Sequence, residues 1–394
     1  MHLALAAIFG LLTLAGIGQA LIGWREVRRF AATAPTDTDN LPPLTLLKPL
    51  HGDEPLLEAA LASVVSQDYP CFQVIFGVQR ADDPAIAVVE RLRARFPERD
   101  IELVIDATPH GANRKVANLI NMYASAKYDH ILIADSDLHC APDYLRRVAA
   151  EFAVAGVGLV TTVYAGLAAD AGLPGRLGAS AINHFFLPGA LMSRALGRQD
   201  CLGATMALRR DTLEKIGGLQ ALAGHLADDN VLGLLVRAEG LRIRMATTVP
   251  ATTVPEATFA ALFSHELRWS RTILSLVPLE YAASAIQYPL AWALPAWLFA
   301  GLAGHEQIGE ILFLATWFVR ALVATGIDTS LGLVEAGLAT RASIWLLPLR
   351  DLLSMAVFLA SYASDTVDWR GNIMHTHATD QNPTIPEDVP AKAP

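Results

Sequence analysis

Apolar and polar positions change their period twice along the chain. Residues 3–23 are almost unbroken apolar sequence, about the 20 positions needed to cross a bilayer, and Arg25, Arg28 and Arg29 follow at once. A secretory signal carries its positive charge ahead of the apolar core. The reversed order here predicts a retained anchor over 1–24, with its N-terminus outside and the following chain cytoplasmic. Residues 25–43, rich in Thr, Pro and Asp from position 31, form a linker.

From Leu44 short apolar runs alternate with stretches of helical spacing. Residues 44–48, 73–78 and 101–105 predict strands, and 56–66, 85–95 and 115–126 predict helices. The next apolar run, Ile131 to Ala134, is too short for a helix and leads straight into Asp135-Ser136-Asp137. It predicts a buried parallel strand that delivers two carboxylates at its C-terminal end. Strand–helix alternation with acids at successive strand ends predicts an α/β, doubly wound nucleotide-binding domain over 44–255, with its ligands at that sheet edge. Residues 159–163 add a strand. Residues 176–194 mix Leu, Ile, Phe and Met with Arg, Asn and His, and fit either an amphipathic helix on a membrane surface, kinked at Pro188-Gly189, or a packing helix over the sheet.

After an interfacial segment at 256–279 the apolar texture returns. Residues 282–302 and 308–325 predict spans separated by the polar turn 304–307. Residues 342–361 are also apolar but hold Arg350-Asp351 in their middle. Charge at that depth is costly, so this segment either pairs them in a polar cavity or is re-entrant. Together these make a membrane region over 280–370, and the polar, Pro-containing stretch 371–394 is expected to be disordered.

Composition agrees with a chain lying partly in lipid. Hydrophobic residues make up 53% of the 394 and charged residues only 18%, and the mean hydropathy of +0.36 is too high for a purely soluble enzyme. A net charge of −9 disfavours a nucleic-acid partner, whose phosphates need a basic face. Cys71, Cys140 and Cys201 are too far apart for a metal-ligand pair or a disulfide framework and fit a reducing compartment. The sequence has neither Gly-x-Gly-x-x-Gly nor a Walker loop, which argues against dinucleotide and P-loop chemistry.

The chemistry then rests on acids. Asp135 and Asp137, one residue apart with little positive charge beside them, suit a hard divalent cation, Mg²⁺ or Mn²⁺, which in turn holds a diphosphate; solvated loop acids are the alternative. Asp228 and Asp229 open a helical run at 231–238 and are either first-turn capping acids or a second functional cluster. Arg268 beside Trp269 offers a fork for phosphate oxygens next to a flat apolar face, or anchors an interfacial helix; both roles are compatible.

Five ordered blocks carry a resemblance: Lys48-Pro49-Leu50-His51-Gly52, Ser66-Gln67-Asp68-Tyr69-Pro70, Asp82-Asp83-Pro84-Ala85, Gly111-Ala112-Asn113-Arg114-Lys115-Val116-Ala117-Asn118-Leu119 and Asp135-Ser136-Asp137. In that order they resemble the ceramide glucosyltransferases, membrane-bound inverting GT-A glycosyltransferases with bacterial relatives that glycosylate hopanoids. The resemblance implies a GT-A catalytic domain between membrane anchors, a UDP-sugar donor, and a membrane lipid acceptor such as ceramide or a hopanoid polyol. It implies one transfer per acceptor of glucose or N-acetylglucosamine, at the cytoplasmic face of a bacterial inner membrane. Polyprenyl phosphate or a short polysaccharide is the alternative acceptor, and a non-catalytic membrane scaffold the alternative of another class.

Residue by residue, the resemblance gives Asp229 the general-base role and Asp135 and Asp137 the metal. Pro49, His51, Asp82 and Asp83 fall near the uridine, with Lys115 and Asn118 flanking the nucleotide. Asp53 matches the family's first acid, a role that Asp82 or Asp83 would fill otherwise. Cys201, Gly203 and Thr205, with Asp228, match the strand under the transferred sugar and acceptor. His265, Arg268 and Trp269 match a motif of Gln or Arg, two residues, then Arg-Trp, for the diphosphate and acceptor; here histidine stands at its first position.

Overall fold

Leu44–Pro49 (β1) has its first five residues buried because another strand lies on each side of it. Further along the chain come β2 (Phe72–Val78), β3 (Asp100–Ile105), β4 (His130–Ala134), β5 (Leu138–His139) and β6 (Val157–Thr161). They are followed by β7 (Ala165–Ala168), β8 (Thr205–Arg209), β9 (Arg242–Met245) and β10 (Ala251–Val254). The computed structural model describes residues 1–38, 40–364, 366–369 and 372–375. They form two compact units, each discontinuous in sequence. The sheet unit holds Ala34–Tyr164 and Gly197–Thr253; the helical unit holds Met1–Thr33, Ala165–Leu196 and the described part of Val254–His377. The domain expected over 44–255 is therefore interrupted, since 165–196 belongs to the helical unit.

In the sheet unit seven strands run in the order β3-β2-β1-β4-β8-β6-β9. β1, β2, β3 and β4 are mutually parallel, whereas β8 runs antiparallel to both β4 and β6. The sheet is thus mixed, not wholly parallel. The chain builds outward from β1 through β2 and β3, then returns to place β4 on the other side of β1. This reversal opens a crevice at the carboxyl ends of β1 and β4, where open α/β sheets bind ligands. Helices Leu57–Val65 and Ala85–Arg95 cover one face through Leu61, Val64, Val89 and Leu92. Arg114–Tyr123 and Asp228–Ala238 cover the other through Leu119, Met122, Leu232 and Val236.

In the helical unit three helices are long and apolar enough to cross a membrane: His2–Ala31, Glu306–Leu331 and Ile344–Ser361. The first runs through all three arginines to Ala31, past the anchor boundary expected at 24. The span expected at 282–302 is broken. Pro289 has no N–H and disfavours a helical conformation at the residue before it, and Tyr288 sits at φ −107°, ψ 63°. What remains is Pro289–Leu302, 14 residues, about 21 Å long and short of a bilayer's apolar core. It packs closely on the first helix: a Cβ at Gly16 would lie 2.4 Å from the carbonyl oxygen of Ile286 and 3.0 Å from Pro289 Cβ. Likewise a Cβ at Gly326 would lie 2.4 Å from the Trp24 ring. Small residues let such backbones approach.

Arg350 and Asp351 do not interrupt their helix, Leu347–Ser361, because each finds an opposite charge. Asp351 accepts from Arg320 Nη2 at 3.2 Å and from the Leu290 N–H at 3.0 Å. Arg350 grips both oxygens of Glu266 at 2.7 Å. Nor is there a kink at Pro188. Leu173–Ala181 continues through a π turn, Ile182–Phe186, into Leu187–Ala195, and Pro188 enters near the start of the last segment. This helix packs on Gly23 through Pro188 and Met192, and its first segment packs on β7, where a Cβ at Gly166 would lie 2.8 Å from Ala179 Cα, so it is a packing helix. Thr366–Trp369 pairs antiparallel with Asn372–His375, and the second of these strands lies within the stretch expected to be disordered from 371. The rest of that expectation lies outside the described residues.

Candidate active site

β4 ends at Ala134, so Asp135-Ser136-Asp137 leaves the sheet at the crevice. Register fixes its neighbours: Ala134 pairs with Thr205 on β8, and the Asp135 N–H donates to the carbonyl of Ala204 at 3.3 Å. On the other side Lys48, fully buried near the end of β1, donates from Nζ to the Asp135 carbonyl at 2.6 Å. Ser136 donates to Glu54 at 2.6 Å. The Asp137 carboxylate accepts from the Thr252 hydroxyl, and its carbonyl accepts from the Thr253 N–H at 3.2 Å, tying the loop to β10. Burial, with the like charge of Asp135, pushes the Asp137 carboxyl up to about 6, while Thr252 and Lys48 oppose the shift.

Asp228 and Asp229 occupy the first turn of helix Asp228–Ala238. Lys115, in the first turn of Arg114–Tyr123, lies 2.7 Å from Asp135 Oδ1 and 3.8 Å from Asp228 Oδ2. One ammonium thus joins the two acidic clusters. Burial disfavours its charge, but Asp135, Asp228 and Asp229 outweigh burial and hold it above the ordinary lysine range. The preceding residues fix this helix in place. Asn113 caps it by accepting from the Val116 N–H at 3.1 Å, and its Nδ2 donates to the His225 carbonyl at 2.8 Å. Gly111, at φ +133°, leaves no room for a Cβ, which would meet the Ala223 carbonyl at 2.6 Å.

Asp229 sits against Gly203. Burial, then the like charge of Asp228, raises its carboxyl to about 6 despite Lys115. The same burial and the carboxylates Asp229, Asp135 and Asp137 push the Tyr164 phenol upward. A Cβ on Gly203 would come 2.9 Å from Asp229 Oδ2 and 3.3 Å from its Cγ. The carboxylate must then turn aside, so Gly203→Ala is expected to lower turnover about 10-fold with little change in stability, measured as kcat beside the melting temperature.

The remaining residues of interest in the sheet unit differ in what they do. Pro49 ends β1, and His51 and Asp53 are exposed on the loop beyond it. Asp82 is exposed and paired with Arg80, its nearer oxygen 2.6 Å away. Asp83, by contrast, is buried and accepts from the N–H groups of Gly52 and Ala85 at 3.0 and 2.9 Å, so it shapes the loop. Asn118 is also buried and donates to the Gly77 carbonyl at 2.8 Å. Thr205 bonds the Tyr144 hydroxyl at 2.8 Å, and Cys201 is buried against Gly233. Glu54, Thr252 and Tyr164 were given no role by the sequence, and Lys48 entered there as the first residue of a matching block, without a role of its own.

In the helical unit His265, Arg268 and Trp269 share helix Phe259–Leu276. His265 Nδ1 bonds the buried carboxylate of Glu256, and its ring meets Trp269 edge-on with centroids 4.6 Å apart. Among the described residues no three His, Cys, Asp or Glu side chains gather as a ready metal cage. Two carboxylates whose mutual repulsion Lys115, at Asp135, and Lys48 and Thr252, at Asp137, relieve in part nevertheless fit Mg²⁺ or Mn²⁺, which commonly takes one or two protein carboxylates and completes its shell with phosphate and water.

The model of glycosyl transferase family 21 matches residues 8–381. Ceramide glucosyltransferase 3 of Caenorhabditis elegans is 24% identical over 357 residues, covering 86% of this chain and 74% of its own. The ceramide glucosyltransferase of Komagataella phaffii is 35% identical over 108 residues, 26% of this chain and 21% of its own. Among solved structures, a mannosyltransferase of Pyrobaculum calidifontis in complex with GDP-Man and Mn²⁺ has a TM-score of 0.52 at 18% identity, covering 92% of this chain and 98% of its own. That likeness is one of fold.

Proposed function

The chain belongs to glycosyl transferase family 21 and is a membrane protein with the GT-A fold, and on that premise we propose that it moves one sugar from a UDP-sugar to the hydroxyl of a membrane lipid with inversion. Ceramide or a hopanoid polyol is the acceptor, glucose or N-acetylglucosamine the sugar, and the cytoplasmic face of a bacterial inner membrane the place. The observation that carries this reading is Lys115, which joins Asp135 of the Asp-x-Asp to Asp228 beside Asp229 at one sheet edge. A leaving diphosphate needs cations, an attacking hydroxyl needs a base, and here both lie within reach of one side chain.

Asp229 takes the proton of the acceptor hydroxyl as the oxygen attacks the anomeric carbon opposite the leaving UDP, so an α-linked donor gives a β-glycoside. Lys115 stabilises the diphosphate, and Arg268 is assigned to the same charge on the resemblance of its motif. Asp135 and Asp137 hold Mg²⁺ or Mn²⁺, which when bound supplies positive charge for the leaving group. Pro49, His51, Asp53 and Asp82 are assigned to the nucleotide, Gly203 to the sugar and Trp269 to the acceptor.

Asp229 works only when ionised. The transfer rate is expected to fall as pH drops through about 6 and to be level above it. A pH–rate profile flat to pH 5 would remove Asp229 as the base. The function itself is tested with detergent-purified protein, Mg²⁺ or Mn²⁺, each UDP-sugar, and ceramide or bacteriohopanetetrol, reading products by mass spectrometry. Addition of one hexose or one N-acetylhexosamine is expected. If UDP binds but no lipid gains mass, the acceptor assignment fails.

A further inference from the structure

We infer that Arg350 and Glu266 are positioning residues for transfer: the last apolar helix sets, through this pair, the orientation of the helix that carries Arg268 and Trp269. The inference rests on the proposed role of that Arg-Trp pair. Glu266 precedes Arg268 by two residues and Trp269 by three on helix Phe259–Leu276, so whatever fixes Glu266 fixes the turn that presents both.

Apolar packing fixes it in part. Along these 18 residues Leu262 is the one fully buried side chain, while Phe263, Leu267, Trp269 and Leu274 are half-buried. Polar contacts hold the rest. His265 bonds Glu256 near the helix start, Arg271 donates to the Thr366 carbonyl at 2.7 Å, and between them Glu266 receives both Nη atoms of Arg350 at 2.7 Å. The last contact is built differently from the others. Arg350 is 1% exposed, and it also donates to the Leu177 carbonyl and the Ser354 hydroxyl, each at 3.1 Å. A planar fork held at four points leaves its carboxylate partner one orientation.

The neighbouring Asp351 turns to Arg320 and Leu290, so Arg350 is not shared with another acid. A charge this deep in an apolar helix is expensive to place, and holding the turn that carries Arg268 and Trp269 accounts for its presence there.

Glu266→Gln keeps the shape but breaks the ionic fork. It is expected to lower kcat 10- to 100-fold, with the donor KM within about twofold and the melting temperature in detergent near that of the parent. Glu266→Arg should lose more, and adding Arg350→Glu should recover at least 10-fold of that loss, which ties the effect to the pair; a kcat loss at unchanged melting temperature is what a merely structural role would not produce. Full kcat in Glu266→Gln, or a loss that only tracks the folded fraction, overturns the inference. Arg268→Lys separates this from failure of the underlying reading. If it too retains full kcat, the Arg-Trp assignment falls and the inference with it; if it is impaired while Glu266→Gln is intact, the inference alone falls.

Discussion

Asp229→Asn lowers kcat by about 10²–10⁴-fold and leaves UDP binding within a few-fold of the parent, because general-base catalysis contributes about that much and the amide cannot take a proton. The substitution keeps the volume of a side chain packed on Gly203 and can still accept from the Asn230 N–H, as Oδ1 now does at 2.8 Å. It also removes the like charge that Asp228 and Asp135 impose. Misfolding is therefore a poor explanation for lost activity, and a melting temperature at or above the parent's is expected. Transfer is read by mass spectrometry of the lipid product and UDP binding by calorimetry. Undiminished transfer would move the base elsewhere, with Asp228, buried and 3.8 Å from Lys115, next to be tested.

Asp351→Ala is the largest expected loss of stability, about 3–5 kcal/mol, the usual cost of breaking a buried ion pair from one side. Two partners are stranded at once. Arg320, 1% exposed, keeps its charge over the Phe185 ring with no carboxylate, and the Leu290 N–H at the start of Pro289–Leu302 loses its acceptor. Asp351→Asn can still accept from Leu290 and should cost less. Asp351→Leu combined with Arg320→Met should recover most of the loss, since replacing both charges by apolar groups is often neutral. Chemical denaturation of the full chain in one detergent measures all three; a double variant as weak as Asp351→Ala would mean that the pair does more than neutralise itself.

The two features these variants probe were unequally legible in the sequence. The Asp-x-Asp was readable because a four-residue apolar run can be little other than a strand, and a strand of that kind ends at a ligand edge. Asp228 and Asp229 were readable as an acidic first turn but not as neighbours of Lys115, which meets Asp228 across 113 residues of sequence and feels the charge of Asp229 only once the chain has folded. The same holds for Lys48 beneath Asp135, and for Thr252 on Asp137. Asp83 and Asn118 carry residue types that suit a ligand, yet the Asp83 carboxylate and the Asn118 Nδ2 are spent on the backbone of Gly52 and Gly77, which no spacing reveals. In the helical unit apolar content announced spans but not their breaks. Tyr288-Pro289 cut one that composition made continuous, while Arg350-Asp351 left whole one that composition made doubtful, because Glu266 and Arg320 answer the charges.

The first helix has a consequence for how the chain is made. Its close-packing positions, Gly16, Gly23 and Trp24, meet residues near 286, 188 and 326, and Phe9 stacks on Trp292 and Phe299 at 6.0 and 5.8 Å. At about 5–20 residues per second, the partners of this helix follow it from the ribosome by up to about a minute. During that interval the face around Phe9 and Trp24 meets lipid, while the sheet unit is synthesised almost whole. Order of synthesis and order of assembly are therefore opposed: the segment inserted first is among the last to be fully packed, and a chain truncated before Pro289 keeps the contact of Leu187–Ala195 with Gly23 but lacks the partners of Phe9 and Trp24.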